Sequence, residues 1–418
     1  MGKQIAILHY AGPPVVGGVE LTILYHARGL ADLGYNVRVI SGSGSSFDNR
    51  VESYIEPLLG SSAPEVLAVK KELDQGIVSN DFHILVDHQE QALRRALAGC
   101  GLCIVHNVHT MNKNLPLTVA LHRLNFPCIA WCADLAWTNE QYQSELHAGY
   151  PWDLLRQPWP ETPYVGISDA RRLEMAELFQ ISPDEIAVIT PGVDLPGFLQ
   201  WTPEMRQIEN TLHILDADVL LLLPARLTRR KNIELGLHMM AALKMRDQRD
   251  YRLIITGPPG PHNPLNSGYL GELLELRSTL GLQECVHFLY ELNAPPFIPD
   301  DTTMANLYQI ADALFFPSLQ EGLGIPILEA GLVGLPIFCS DLPPIHQTGQ
   351  DDVFYFDPVR DAPETIADVI GNYFVTSSGH RLKSRIRHNY RWDVILQNQI
   401  VPLLNRFEKQ RSGREPQT

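Results

Sequence analysis

Ala313-Leu314-Phe315-Phe316-Pro317-Ser318-Leu319-Gln320-Glu321-Gly322-Leu323-Gly324-Ile325-Pro326-Ile327-Leu328-Glu329-Ala330 decides how the chain is read. The first four residues are an unbroken apolar run, the pattern of a strand buried on both faces. A glycine-flanked turn follows. Pro326 then suits the first turn of a helix, where its missing N–H would have no partner anyway. The segment therefore reads strand, glycine-rich loop, helix start. Glu321 falls in the loop and Glu329 about one turn into the helix. Free N–H groups and the positive dipole end at such a terminus attract phosphate, and Gly322 and Gly324 let a ligand approach the backbone. Two carboxylates beside an anion site need a second task, and hydrogen-bonding sugar hydroxyls is the one their chemistry suits.

The same alternation runs through the chain. Ile5–Leu8, Val37–Ile40, Leu102–Val105, Cys128–Trp131, Pro163–Ile167 and Ile186–Ile189 read as strands of a first half. Val219–Leu223, Tyr251–Ile255, Val286–Leu289, Pro336–Cys339 and Phe354–Phe356 join Ala313–Phe316 in a second. Strands alternating with helices imply parallel, doubly wound sheets. Between Pro191 and His213 the pattern breaks at Pro191-Gly192, Pro196-Gly197 and Trp201-Thr202-Pro203. The expected organisation is a domain over 1–195, a linker over 196–214 and a second domain over 215–390. A last helix over 391–412 would pack back on the first domain. A chain of 418 residues is long for one core, which agrees with two domains.

A net charge of −15 argues against a general nucleic-acid binder. No apolar run reaches the ~20 residues that a membrane span needs, and Ile5–Leu8 is too short for a signal peptide. The six cysteines lie mostly in or beside apolar strands; Cys100-x-x-Cys103 has no second pair at zinc spacing and reads as buried thiols. A cytoplasmic location follows as the expectation. The basic run Arg381–His388 reads as a solvated helix face.

In the frame Glu-Gly-x-Gly-x-Pro-x-Leu-Glu-Ala, Glu321 and Glu329 have seven residues between them. That frame resembles the signature of the retaining glycosyltransferases of family 4. Arg226-Leu-Thr-Arg-Arg-Lys231 resembles the same family's Arg-x4-Lys element. The resemblance spans most of the chain and is strongest from Arg226 to Glu329. It implies the α/β GT-B fold: two Rossmann-like doubly wound parallel-sheet domains facing across a cleft. It also implies transfer of a hexose, mannose or glucose, from a nucleotide-diphosphate sugar, with GDP-mannose and UDP-glucose the candidate donors. Retention of anomeric configuration, no cofactor and no metal are expected. Asp216-Ala217-Asp218 precedes its strand, so it sits at the wrong edge to serve as a metal motif.

On that resemblance Arg226 and Lys231 would hold the diphosphate, where preorganised cations stabilise the departing charge. Glu329 would take the ribose hydroxyls and Glu321 the sugar, with the amides of Gly322, Leu323, Gly324 and Ile325 beside them. Gly257 and the backbone at Leu289-Tyr290 would hold the base, and Gly17-Gly18 would face the diphosphate or acceptor. Trp131-Cys132-Ala133-Asp134 resembles the family's His-Asp stretch, with Ala133 where the histidine contacts the donor sugar; Ala133 and Asp134 are catalytic-stretch candidates with Glu321. The polar cluster His106, Asn107, His109, Thr110, Lys113 and Asn114 is the candidate acceptor site, for a sugar-containing or small hydroxyl compound. Self-association is compatible with this reading. Two alternatives stay open: an epimerase or phosphorylase on the same fold, and a non-catalytic nucleotide-sugar-binding protein. A dehydrogenase does not fit, since Gly322-x-Gly324 lacks the third glycine.

Overall fold

The computed structural model describes residues 4–260, 266–293 and 296–412. The chain divides into two compact units, one running to Gly192 and resuming at Trp392, the other spanning Val193–Arg391.

The first unit holds seven strands: β1 (Gln4–His9), β2 (Val37–Ser41), β3 (Val51–Ile55), β4 (Cys100–His106), β5 (Cys128–Cys132), β6 (Tyr164–Gly166) and β7 (Ile186–Val188). Their order is β3-β2-β1-β4-β5-β6-β7, all parallel. Central strands covered on both faces must be apolar throughout, and Ile5–Leu8 and Ile129–Cys132 are buried accordingly. The edge strand β3 is absent from the sequence reading because half-exposed residues at Glu52–Tyr54 give it no apolar run. Helix α1 (Gly18–Asp32) buries Ile23, Ala27 and Leu30 against β1 and β2. The returning segment Trp392–Phe407 packs on the same cluster, with Trp392 stacked on Tyr25 at 5.4 Å.

The second unit holds six: β8 (Val219–Leu223), β9 (Tyr251–Ile255), β10 (Val286–Phe288), β11 (Ala313–Phe316), β12 (Ile337–Ser340) and β13 (Phe354–Phe356). Their order is β10-β9-β8-β11-β12-β13, again all parallel. Residues 196–214, expected as a linker, instead carry the helices Leu195–Phe198 and Pro203–Leu212 of this unit. The prolines that broke the pattern open these helices, and Thr202 caps the second by accepting from the Met205 N–H at 3.0 Å. Met205 and Ile208 then bury against Leu220 and Leu222.

The basic run is a second correction. Arg387 is buried, donating to Asp312 at 2.9 Å and to the carbonyls of Ala217 and Asp218. Lys383 and His380 face the other Asp312 oxygen at 3.6 Å each, and the Leu220 N–H donates to the carboxylate at 2.8 Å. The run alternates with few apolar residues, so nothing in it announces that one face docks on a buried acid. Burial alone would raise the Asp312 pKa; His380, Arg387, Lys383 and the Leu220 amide outweigh it and hold it down at about 2.

Asp312→Ala would strand the Arg387 charge, at a cost of about 3–5 kcal/mol. At roughly 2–4 °C per kcal/mol for domains of this size, a melting scan should show a loss of at least several degrees. Because the folded value is depressed, the Asp312 contribution is present above the unfolded carboxyl value and lost as pH falls from about 4 toward about 2. Acid unfolding of the variant should lack that component.

Candidate active site

In the second unit the chain winds outward in opposite directions from β8 and β11, which lie side by side. Ligands of open parallel sheets bind beyond the carboxyl ends of strands at such a switch point. The loops leaving these two strands are tied together. Leu319 N–H donates to the Arg230 carbonyl at 2.7 Å, and the Arg230 guanidinium donates to the Gln320 carbonyl at 3.2 Å. Lys231 Nζ pairs directly with Glu321 Oε1, and Arg230 lies 3.6 Å from the other oxygen. The Lys231 and Glu321 side chains are only 10% and 9% exposed, and Lys231 also lies over the Phe316 ring at 4.8 Å. Burial pulls the Lys231 pKa down, against the upward pull of Glu321.

The remaining candidates in this unit gather at the same edge. Gly324 has φ +84° and caps the helix Ile325–Leu332, with Pro326 in its first turn. Glu329 is exposed on that helix and accepts the Tyr308 hydroxyl at 2.5 Å. Tyr308, which the sequence reading missed, is itself buried. Arg226 is exposed in the β8 loop and makes no ion pair among the described residues. The β8 and β9 loops are zipped by Leu227 N–H to Pro258 O at 2.9 Å and Gly257 N–H to Ala225 O at 3.1 Å. A Cβ on Gly257 would lie 2.2 Å from the Ala225 oxygen and 2.6 Å from Arg226 Cα, so this glycine is required by the fold. A Cβ on Gly322 would meet nothing within 4 Å, so the fold leaves that position open. Leu323 and Ile325 are exposed, and β10 ends in a turn where Leu289 is buried and Tyr290 half-buried. Asp216 and Asp218 lie at the opposite edge, where Asp218 accepts the Asp250 N–H at 2.9 Å.

The first unit has its own switch point between β1 and β4. His9 ends β1 and hydrogen-bonds through Nδ1 to the His106 carbonyl at 2.9 Å, so Nδ1 carries the proton. Burial lowers the His9 pKa, partly opposed by this bond and by Glu20, whose carboxylate lies 3.9 Å from Nε2. Asn107, at φ 61°, accepts from the Ala133 N–H at 2.7 Å and the Asp134 N–H at 3.3 Å, and donates to the Asp134 carboxylate at 3.2 Å. Thr110 donates to the Asp134 carbonyl at 2.7 Å. Asn114 caps the helix Leu115–Leu124 and donates to the Gly60 carbonyl at 2.6 Å. His109 packs on Trp159 with centroids 4.1 Å apart, and burial takes its pKa down to about 3.

The six acceptor candidates differ in exposure. His106, Asn107, His109, Thr110 and Asn114 are buried groups that shape the loops, and among these six candidates only Lys113 is exposed. Polar loop residues and buried capping residues share a composition, so the sequence does not separate them. Ala133 is half-buried, and Asp134 is exposed at the mouth of a cavity of about 500 Å³. Gly17 caps α1 and lies under the Glu20 carboxylate, while Gly18 meets nothing. The sequence reading missed Glu20, although its place at the third helical position after Gly17 has the spacing of a capping-box acid.

Each half of the chain matches its own family model: residues 16–196 that of Glycosyltransferase Family 4, and residues 205–387 that of Glycosyl transferases group 1. The chain belongs to these glycosyltransferases, and its two Rossmann-like parallel sheets are those of the GT-B fold class. An uncharacterized glycosyltransferase of Methanocaldococcus jannaschii is 25% identical over 95% of this chain and 97% of its own length. The MMP alpha-(1->4)-mannosyltransferase of Mycolicibacterium hassiacum is 24% identical over 81% of this chain and 80% of its own. The D-inositol 3-phosphate glycosyltransferase of Salinispora tropica is 22% identical over 83% and 71%. A sucrose-phosphate synthase structure from Thermosynechococcus elongatus aligns over 98% of this chain and 100% of its own at 16% identity, with a TM-score of only 0.39. No helix among the described residues is long and apolar enough to cross a membrane.

The two glycines separate fold from ligand. Gly257→Ala should cost about 1–3 kcal/mol of stability through backbone overpacking, read as a lower melting temperature. Gly322→Ala should leave the melting temperature within about 1 °C, since surface changes stay near ±0.5 kcal/mol, yet slow glycosyl transfer at least roughly tenfold. Wild-type activity in Gly322→Ala would refute ligand approach at that loop.

Proposed function

We propose that this protein transfers a hexose, mannose or glucose, from a nucleotide-diphosphate donor to a hydroxyl acceptor, with retention and without a metal ion. The observation that carries the reading is the β8–β11 switch point, where Arg226 and Lys231 stand on one loop and Glu321–Gly324 on the other. The acceptor oxygen attacks the anomeric carbon on the face from which the diphosphate leaves. The new C–O bond forms as the anomeric carbon–phosphate oxygen bond breaks, and the hydroxyl proton passes to the departing phosphate. Arg226 and Lys231 meet the growing negative charge, Glu321 turns from a purely internal partner into a sugar ligand, and Glu329, held by Tyr308, takes the ribose hydroxyls. The mannosyl transfer in the name of the M. hassiacum relative supports mannose, and GDP-mannose and UDP-glucose are the donors to test. Six free cysteines fit a reducing compartment such as the cytoplasm.

Thermal-shift assays with UDP-, GDP- and ADP-sugars, each with and without EDTA, test the donor site. A donor at about a hundred times its Kd adds about 2.7 kcal/mol, or several degrees. One nucleotide class should shift the midpoint and EDTA should leave the shift intact; no shift with any donor would end the donor assignment. The product of the active donor should keep the donor's anomeric configuration by NMR.

A second reading, binding without turnover, rests on Ala133. Its backbone is fixed by Asn107, but a methyl group cannot hydrogen-bond the donor sugar. Ala133→His should raise the transfer rate at least roughly tenfold, about 1.4 kcal/mol of barrier. Equal rates for the two proteins would remove any penalty at this position.

A further inference from the structure

We infer that the acceptor is an uncharged polyhydroxy compound, a sugar or polyol, and that the first unit is built to turn away its phosphorylated counterparts. This rests on the transferase reading above and adds the acceptor's chemical class. The first of two separate observations is at α1. The N-terminus of a helix after a first strand is a natural cradle for phosphate, but here the chain fills it with its own anion. Glu20 folds back over Gly17 so closely that a Cβ there would lie 2.0 Å from its Oε2, and its side chain is only 15% exposed. Burial lowers the pKa of the neighbouring His9, which disfavours the imidazolium that would offset this charge.

The second observation is the cavity of about 500 Å³ beyond β5 and β6, lined by Asp134, Thr138, Glu140, Gln141, Arg171 and Glu174 among others. Three of these side chains are carboxylates, and the one cation, Arg171, is already paired with Glu174. Ionised carboxylates only accept hydrogen bonds, so they match hydroxyl donors and repel phosphate. Lys113 is exposed nearby, and its charge reaches His9. Arg171 offsets Glu174, which leaves Lys113 as the one cation named here against Glu20, Asp134 and Glu140, so the balance of these residues stays negative. Discrimination of this kind works by placing like charges against the wrong ligand. The name of the S. tropica relative puts a phosphate on that protein's acceptor; the present residues point the other way.

Matched acceptor pairs test this: glucose and glucose 6-phosphate, mannose and mannose 6-phosphate, glycerol and glycerol 3-phosphate, myo-inositol and inositol 3-phosphate. In every pair that reacts, the uncharged member should be faster by at least roughly tenfold in kcat/KM. The triple variant Glu20→Gln, Glu140→Gln, Glu174→Gln keeps side-chain shape and should narrow that ratio at least about fivefold, as should added salt. A faster phosphorylated member, or a ratio unmoved by the triple variant, would overturn the inference. Donor hydrolysis without acceptor is the control for the transferase reading. Its absence, together with absence of all transfer, would count against that reading. Calorimetric titration of glucose and glucose 6-phosphate into the free protein then decides the acceptor class by itself, with tighter glucose 6-phosphate the overturning result.

Discussion

A buried lysine paired with a buried glutamate, Lys231 with Glu321, is the contact on which the geometry of the second unit's edge depends. Neither charge would tolerate such burial alone. Together they clamp the loop after β8 to the loop after β11, and the Leu319 and Arg230 backbone bonds complete the clamp. The glycine-rich turn that follows thus has a fixed base before any ligand arrives. Preorganisation of this kind is what lets a site stabilise developing charge without first rearranging. The pair also gives the buried Lys231 ammonium its partner.

Both sheets use the same winding, with first and fourth strands adjacent and the chain running outward from them. The use made of the polar residues beyond the strands differs. In the second unit Arg226 and Glu329 stay at the surface, and Lys231 and Glu321 are drawn in as a pair. In the first unit the polar residues are drawn inward, and Asn107, Thr110 and Asn114 satisfy backbone groups of neighbouring loops. A loop of polar residues there is a framework for Ala133 and Asp134.

That contrast explains what could be read from the sequence. All six strands of the second unit are legible because each is a short, mainly apolar run, and the Glu321–Glu329 frame is legible because its glycines and proline have positional meaning. The edge strand at Val51–Ile55 is not, since an edge needs no continuous apolar face. Arg387 reads as solvent-facing because only tertiary structure supplies Asp312, seventy-five residues away in sequence. The same holds for Tyr308 and Glu329, whose pairing spans twenty-one residues. Long-range polar contacts leave no periodic trace, and the Asn114 bond to the Gly60 carbonyl belongs to that class.

Charge gives the two halves different tasks on one architecture. The second unit's edge presents Lys231, buried and paired, with Arg230 beside the same Glu321 and Arg226 exposed, and these are the cations that the proposed diphosphate would meet. The corresponding edge of the first unit presents Glu20, Asp134, Glu140 and Glu174. Had both edges been cationic, either could have captured the diphosphate, and the donor would have had two competing places to sit. In the proposed transferase that competition is removed, because carboxylates offered to acceptor hydroxyls at one edge repel the anionic donor. On that proposal the division of labour between the domains is electrostatic as much as a matter of shape.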